Sequence, residues 1–302
     1  MRPDGRKRDP LVGEDRLLRL PDGRTVSAWE GGDPAGSPVL FHSGTPSGRL
    51  QATLGHEAAR RAGVRLLSFN RPGYGESSDL PPGLAQVGRD ALDVLDQYDV
   101  DRFAVLGISG GGPYALATGL ADQARVTTVG IAAGVGPWTR IDDPDPDDWE
   151  RPLLERAEAG NVAAARAGFA ARAAEEFAWF SPALSDEQIA DGFFGGAPPG
   201  AIAWLTPTFR LRWVADTRDA LDRHDGYVRD NLSWGTTWDL DLGRLQVPCL
   251  LWYGGEDGMV PPRHGIWLRD HLPDARLEIR PGEGHGAVIF PRLAEIFALL
   301  TS

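Results

Sequence analysis

The chain has 302 residues, 42% of them hydrophobic, which can fill a sizeable core and suits one α/β domain carrying a large insertion. Its 43 acidic and 31 basic side chains leave a formal charge of −12 and a pI near 5.0. That balance gives no electrostatic case for nucleic acid or an anionic membrane surface as partner and mainly implies solubility.

In chain order, residues 1–15 carry Arg2, Arg6, Lys7 and Arg8 among Asp, Gly and Pro but no apolar leader. No stretch approaches the ~18 apolar residues of a membrane span, so the expectation is a frayed tail on a cytoplasmic protein. Leu17 to Leu20 and Thr25 to Trp29 are β-prone runs joined by Pro21-Asp22-Gly23, a hairpin signal. Val39 to Phe41 reads as a buried strand, and His42 to Gly48 as a loop rich in Gly and Pro. Residues 49–62 look helical, Val64 to Asn70 is a further strand, and Arg71 to Ser77 is a turn-rich loop. Leu84 to Tyr98 places Val87, Ala91, Leu92, Val94 and Leu95 on one face of an amphipathic helix.

Phe103 to Gly107 has buried-strand character and runs into Gly107-Ile108-Ser109-Gly110-Gly111, after which an Ala/Leu-rich helix pattern begins. A strand, a sharp turn with serine at its apex and a helix make a nucleophile elbow. The flanking glycines remove Cβ atoms that would clash, and the Gly110 N–H at a helix start favours developing negative charge. Pro113 fits the first helical turn. Val126 to Ala132 is another unalternating apolar strand of the kind covered on both faces, which predicts a doubly wound, mostly parallel sheet flanked by helices.

From Gly136-Pro137 to about Trp238 the patterning is helical only. The segment opens on the Pro-broken acidic run Asp142 to Asp148, read as a solvated hinge or helix N-terminal charge. Helices are expected around 149–178, 186–195, Ala201 to Trp213 and Asp216 to Leu232, with a break at Ala197-Pro198-Pro199-Gly200. Trp149, Trp179, Trp204, Trp213, Trp234 and Trp238 make this segment dense in aromatics, as an all-helical lid over a largely apolar pocket would be. The expected organisation is therefore a core of 16–136 and 239–302 interrupted by a cap at 137–238.

The frame resumes with the strand Val247 to Tyr253 and a turn at Gly254 to Pro261. Cys249, the sole cysteine, lies inside that strand as a buried structural thiol, and no intrachain disulfide can form. A helix near 263–271, the strand Arg276 to Ile279, the loop Arg280 to Gly286 and a helix from about Pro291 to Leu300 complete the pattern.

Ser109, Asp257 and His285 then fall in loops after strands, on the edge where α/β sheets bind ligands. Acyl transfer needs these types together: histidine removes the serine proton, and aspartate fixes its tautomer and stabilises the imidazolium. Glu256 is the alternative acid if the loop register shifts by one. His264 and His271 read as surface residues, and His56 and His224 sit in helical patterns. His285 lies in a glycine-rich loop where a ring can be aimed freely.

These motifs resemble those of the α/β-hydrolase fold family, in its capped serine-hydrolase branch, from about Leu17 to Leu300. Ser43-Gly44-Thr45-Pro46 resembles the family's His-Gly-x-Pro oxyanion loop, and Arg71-Pro72-Gly73-Tyr74-Gly75-Glu76-Ser77 its Arg-Pro-Gly-x-Gly-x-Ser loop. Gly107 to Gly111 matches the elbow, Gly255-Glu256-Asp257 the acid turn and Gly284-His285-Gly286 the histidine loop. Ser43 stands where the family usually has histidine, with His42 displaced by one. The resemblance implies an oxyanion hole made by the backbone N–H groups of Gly110 and Thr45, with Gly44 as the alternative second donor. It implies hydrolysis of an ester, thioester, lactone or amide through an acyl-serine, with a carboxylic ester first; no cofactor or metal is expected, since no His/Cys/Asp cluster has ligand spacing. A small, mainly apolar molecule is the expected substrate, and the lid is a candidate oligomer contact. A peptidase in which Glu175 or Glu176 binds a substrate amine, a carbon–carbon bond hydrolase, and a non-hydrolytic receptor or cyclase on the same fold are the alternatives.

Overall fold

The computed structural model describes residues 13–142, 148–196 and 204–302. The expectations for most of the N-terminal tail, for the acidic run at 143–147 and for the break at 197–203 lie outside those residues.

The predicted hairpin is β1 (Glu14–Arg19) paired antiparallel with β2 (Thr25–Gly32). After β3 (Ser37–His42) the expected helix is divided. Arg49–Gly55 forms a 3₁₀ segment, and only His56–Arg61 is α-helical (α1). Then follow β4 (Val64–Phe69), α2 (Ala85–Asp96), β5 (Phe103–Ile108), α3 (Gly112–Ala121) and β6 (Val126–Ala132).

Between β6 and β7 the described residues form five α-helices and no strand: α4 (Arg151–Glu158), α5 (Val162–Glu176), α6 (Asp186–Phe194), α7 (Pro207–Ala220) and α8 (Asp225–Gly235). The helix expected around 149–178 is cut at Gly160, whose φ of +90° ends α4. Asn161 then caps α5 by accepting the Ala164 N–H. Asp148 accepts the N–H groups of Glu150 and Arg151 at the start of α4, so the end of the acidic run does serve a helix N-terminus. The break expected between Trp213 and Asp216 is absent. Instead α7 begins at its Thr206 cap and runs through both residues, and the chain turns at Leu221 to His224.

The frame closes with β7 (Cys249–Gly254), α9 (Arg263–His271), β8 (Ala275–Arg280), α10 (His285–Ile289) and α11 (Leu293–Leu300). The eight strands form one sheet in the order β1-β2-β4-β3-β5-β6-β7-β8. It is antiparallel through β4 and parallel from there on.

Every residue of β5 is buried, because helices cover both faces of the sheet. On one face Val87 and Val94 of α2, Tyr114 of α3 and Leu268 of α9 pack with Leu67, Val105 and Leu251. On the other, Ala59 of α1 with Ile296 and Phe297 of α11 pack with Val39, Leu66 and Leu106. At ~25 cal/mol per Å² of apolar surface removed from water, these two layers dominate the favourable side of folding. They also fix where the parallel strands end. The loops after β3, β4, β5, β6, β7 and β8 all emerge along one edge of the sheet.

Candidate active site

Ser109 follows the last residue of β5 and takes a φ of +50°. That left-handed conformation costs a non-glycine residue on the order of 1–2 kcal/mol, so the surroundings must impose it. A Cβ on Gly107 would stand 2.4 Å from the Gly111 carbonyl oxygen, and one on Gly111 would stand 2.3 Å from that of His42. Only glycine at both positions lets the strand, the turn and the neighbouring loop close on one another. The Val135 N–H donates to the Ser109 carbonyl, tying the elbow to the loop after β6.

Asp257 lies in the turn after β7 and its carboxylate is fully buried. The Met259 and Val260 N–H groups both donate to Oδ1 at 2.9 Å, which pins the carboxylate plane. Oδ2 is left for His285, whose Nδ1 lies 2.7 Å away. Neighbouring Glu256 is exposed, so the two adjacent carboxylates are sorted by burial. His285 does not sit in a free loop as expected: it is the first residue of α10, with Gly284 at the cap. The helix fixes a ring that a glycine-rich loop alone would leave mobile.

The oxyanion-type loop lies against the elbow. A Cβ on Gly44 would stand 3.3 Å from the Ser109 Cβ, and one on Gly110 would stand 3.3 Å from the Thr45 nitrogen. The Gly44 N–H is already donated to Gln51 Oε1 at 2.7 Å. Of the Gly44 and Thr45 amides, the one beside Gly110 is that of Thr45.

Behind the loop sits a buried polar cluster. Arg71 donates through Nη1 to the Ser43 carbonyl at 2.6 Å and through Nη2 to the Gly44 carbonyl at 2.8 Å. Its charge is met by Asp230 of α8 at 2.5 Å, and both side chains are fully buried. Tyr74, Tyr114 and Thr45 hydroxyls also donate to Asp230, at 2.9, 2.7 and 2.8 Å. Burial, and then the negative charge of Asp230, hold the Tyr114 phenol well above its ordinary pKa. Sequence reading placed Arg71 in a recognised loop but gave Asp230 no role. Its only signal was a carboxylate between Gly226 and Trp234 on one helix face.

Aromatics from the segment between β6 and β7 reach the residues that follow His285. Trp204 packs so closely on Gly286 that a Cβ there would meet its ring at 2.8 Å, and it stacks on Phe290 with centroids 5.5 Å apart. Phe209 of α7 meets Phe290 edge-on at 4.9 Å.

The other candidates resolve by environment. His42 is buried with Nε2 2.9 Å from Thr118 Oγ1, and burial, with help from the Arg71 charge, lowers its pKa to about 3. His264, expected on the surface, is buried and accepts the Gly136 N–H through Nδ1. His271 is exposed and stacks on Trp267. His56 accepts the Gly32 N–H, and His224 precedes α8. Glu175 and Glu176 are exposed, with Glu176 3.6 Å from Arg172. Cys249 is buried as expected, and desolvation pushes its thiol up to about 12. Among the described residues no group of His, Cys, Asp and Glu could hold a metal ion, and no helix is long and apolar enough to cross a membrane.

Residues 39–298 match the model of the family described as "Alpha/beta hydrolase family". The chain is 24% identical over 292 residues to a 2-hydroxy-6-oxononadienedioate/2-hydroxy-6-oxononatrienedioate hydrolase of Cupriavidus pinatubonensis, covering 91% of this chain and 90% of that protein. It is 27% identical over 229 residues to a pimeloyl-[acyl-carrier protein] methyl ester esterase of Neisseria meningitidis, covering 76% and 78%. The fold is shared with the crystal structure of a hydrolase from Pseudomonas aeruginosa, at a TM-score of 0.61 and 24% identity over 96% of this chain and 98% of that one. The sheet order, the elbow after β5 and the match over 39–298 agree, and the chain belongs to the α/β-hydrolase family.

Proposed function

We propose that the protein is a serine hydrolase that cleaves a small carboxylic ester, thioester or lactone through an acyl-serine. Ser109 is the nucleophile. His285 is the base, using Nε2, the ring nitrogen not bonded to Asp257. Asp257 holds the tautomer and stabilises the imidazolium. The N–H groups of Gly110 and Thr45 receive the oxyanion of the tetrahedral intermediate, and the same imidazole activates the water that releases the acid. Residues 137–238 act as a cap whose aromatic residues, Trp204 foremost, favour an apolar acyl or alcohol group.

One observation carries this reading: a serine held at φ +50° shares a sheet edge with an imidazole held 2.7 Å from a buried carboxylate. Backbone strain of that kind persists only where the fold over-determines it, and it gathers at reactive sites. The kinship with a methyl ester esterase supports the ester class.

The test is hydrolysis of p-nitrophenyl esters of graded acyl length by the wild type and by Ser109→Ala. The variant should lose about 10⁴-fold in kcat, as loss of a triad member does. A Ser109→Ala protein within tenfold of wild type would remove Ser109 from the chemistry.

A further inference from the structure

Asp230 belongs to α8, within the helical insertion, yet the donors that meet its carboxylate come from the loops after β3 and β4 and from α3. We propose that Asp230 is a positioning residue for the oxyanion hole: acting through Arg71 and Thr45, it aims the Thr45 N–H at the reacting oxygen, so the hole is complete only while α8 is seated on the core. The proposal rests on the serine-hydrolase reading above.

In a trans peptide the C=O and N–H of one unit point in opposite directions. Arg71 Nη2 holds the Gly44 carbonyl at 2.8 Å, which turns the N–H of the same unit, that of Thr45, to the opposite side. Gly110 lies beside that nitrogen. Asp230 Oδ2 accepts both from Arg71 Nη2 at 2.5 Å and from Thr45 Oγ1 at 2.8 Å. One carboxylate oxygen therefore holds the guanidinium at one end of the peptide unit and the threonine side chain at the other. Tyr74 and Tyr114 donate to the same carboxylate and fix its orientation. A role confined to pairing two buried charges explains their burial. It does not explain why the guanidinium also lands on the carbonyls of Ser43 and Gly44, the two residues ahead of the amide that faces the elbow.

The experiment compares kcat/KM for p-nitrophenyl acetate and for its thiono analogue, in which the developing anion is on sulfur. Sulfur is larger and a weaker hydrogen-bond acceptor, so it gains little from a hole built for oxygen. Two variants are used. Asp230→Asn removes the charge but keeps the shape. The double variant Arg71→Met/Asp230→Leu removes both charges, so no lone buried charge can unfold the chain. In each, the oxygen ester should slow by about 10–100-fold, through kcat rather than KM, and the thionoester by less than about threefold. The ester-to-thionoester ratio thus collapses while circular dichroism stays that of the wild type. Rates that fall together, or a ratio kept at the wild-type value in folded protein, overturn the positioning role. A wild type that hydrolyses neither compound overturns the serine-hydrolase reading itself, whereas an active wild type with an intact ratio in the folded variants overturns only the role of Asp230.

Discussion

Asp257 and Glu256 are adjacent carboxylates, and hydrogen bonding separates them. The Asp257 Oδ1 is held by two amides and Oδ2 faces His285, while Glu256 remains exposed. In Asp257→Asn the amide oxygen stays with the two backbone N–H groups, so the NH₂ faces His285 Nδ1. That nitrogen must then accept, the ring proton moves to Nε2, and the ring cannot take a proton from Ser109. The expected outcome is a loss of about 10³–10⁴-fold in kcat with little change in KM, against a change within about twofold for Glu256→Gln. Steady-state kinetics on one ester checks both, and an Asp257→Asn protein with more than a tenth of wild-type kcat removes the aspartate from the triad. The sequence placed both carboxylates in the right turn. It put Asp257 first and left Glu256 as the alternative on a one-residue shift, because what separates them is which one the Met259 and Val260 amides hold.

Helix α7 shows how an element can be read for its period and missed for its ends. Asp216-Thr217 after Ala215 resembles a helix start, yet both residues are buried mid-helix. The Gly48 N–H donates to Asp216 Oδ1 at 3.1 Å, a contact across 168 residues that leaves no local pattern. The second carboxylate oxygen has no hydrogen-bond partner among the described residues. Burial therefore pushes the Asp216 pKa up to about 8, reinforced by Asp219 and opposed by Arg49 and by the hydrogen bonds at Ser47 and Gly48. The folded chain keeps a proton that an unfolded aspartate releases near 3.8. Between about pH 4 and pH 8 the native state binds more protons, so this group's contribution to stability is full at pH 4 and lost as pH rises through that window. Asp216→Asn keeps the acceptor for Gly48 and removes the charge. Its melting temperature should match the wild type near pH 4 and exceed it at pH 8.5 by at least several degrees, since each kcal/mol moves the transition by ~2–4 °C. Scanning calorimetry at the two pH values checks this, and equal shifts at both would show that ionisation of Asp216 is not the cause.

Across the whole molecule, what sequence disclosed was local. Each strand is a short apolar run, and Ser109, Asp257 and His285 each follow one, so the sheet and the edge on which these three residues lie could be read segment by segment. What it hid was the attachment of the insertion, because Arg71 and Asp230 are 159 positions apart. That attachment is uneven. In α8 every residue from Gly226 to Gly235 is buried, and Asp230 anchors it to the loops behind the elbow. In α6 only Ile189, Ala190 and Phe194 are buried, within a small cluster shared with α7. Lifting α8 would separate a buried ion pair, which costs on the order of 3–5 kcal/mol, or a factor of ~10²–10⁴ in population. Among the described residues the ion pairs that hold α6, Arg210–Asp191 and Arg218–Asp186, are both partly exposed. Substrate should therefore enter by movement on the α6 side while α8 stays seated. Hydrogen–deuterium exchange of the full chain followed by mass spectrometry measures this directly, since amide exchange reports the free energy of local opening. Peptides from α8 should exchange with those of β5, among the slowest in the protein, and peptides from α6 at least about 10²-fold faster. Exchange of α8 in step with α6 would mean that the insertion lifts as one body, and an oxyanion loop held through Asp230 would then come apart each time the site opened.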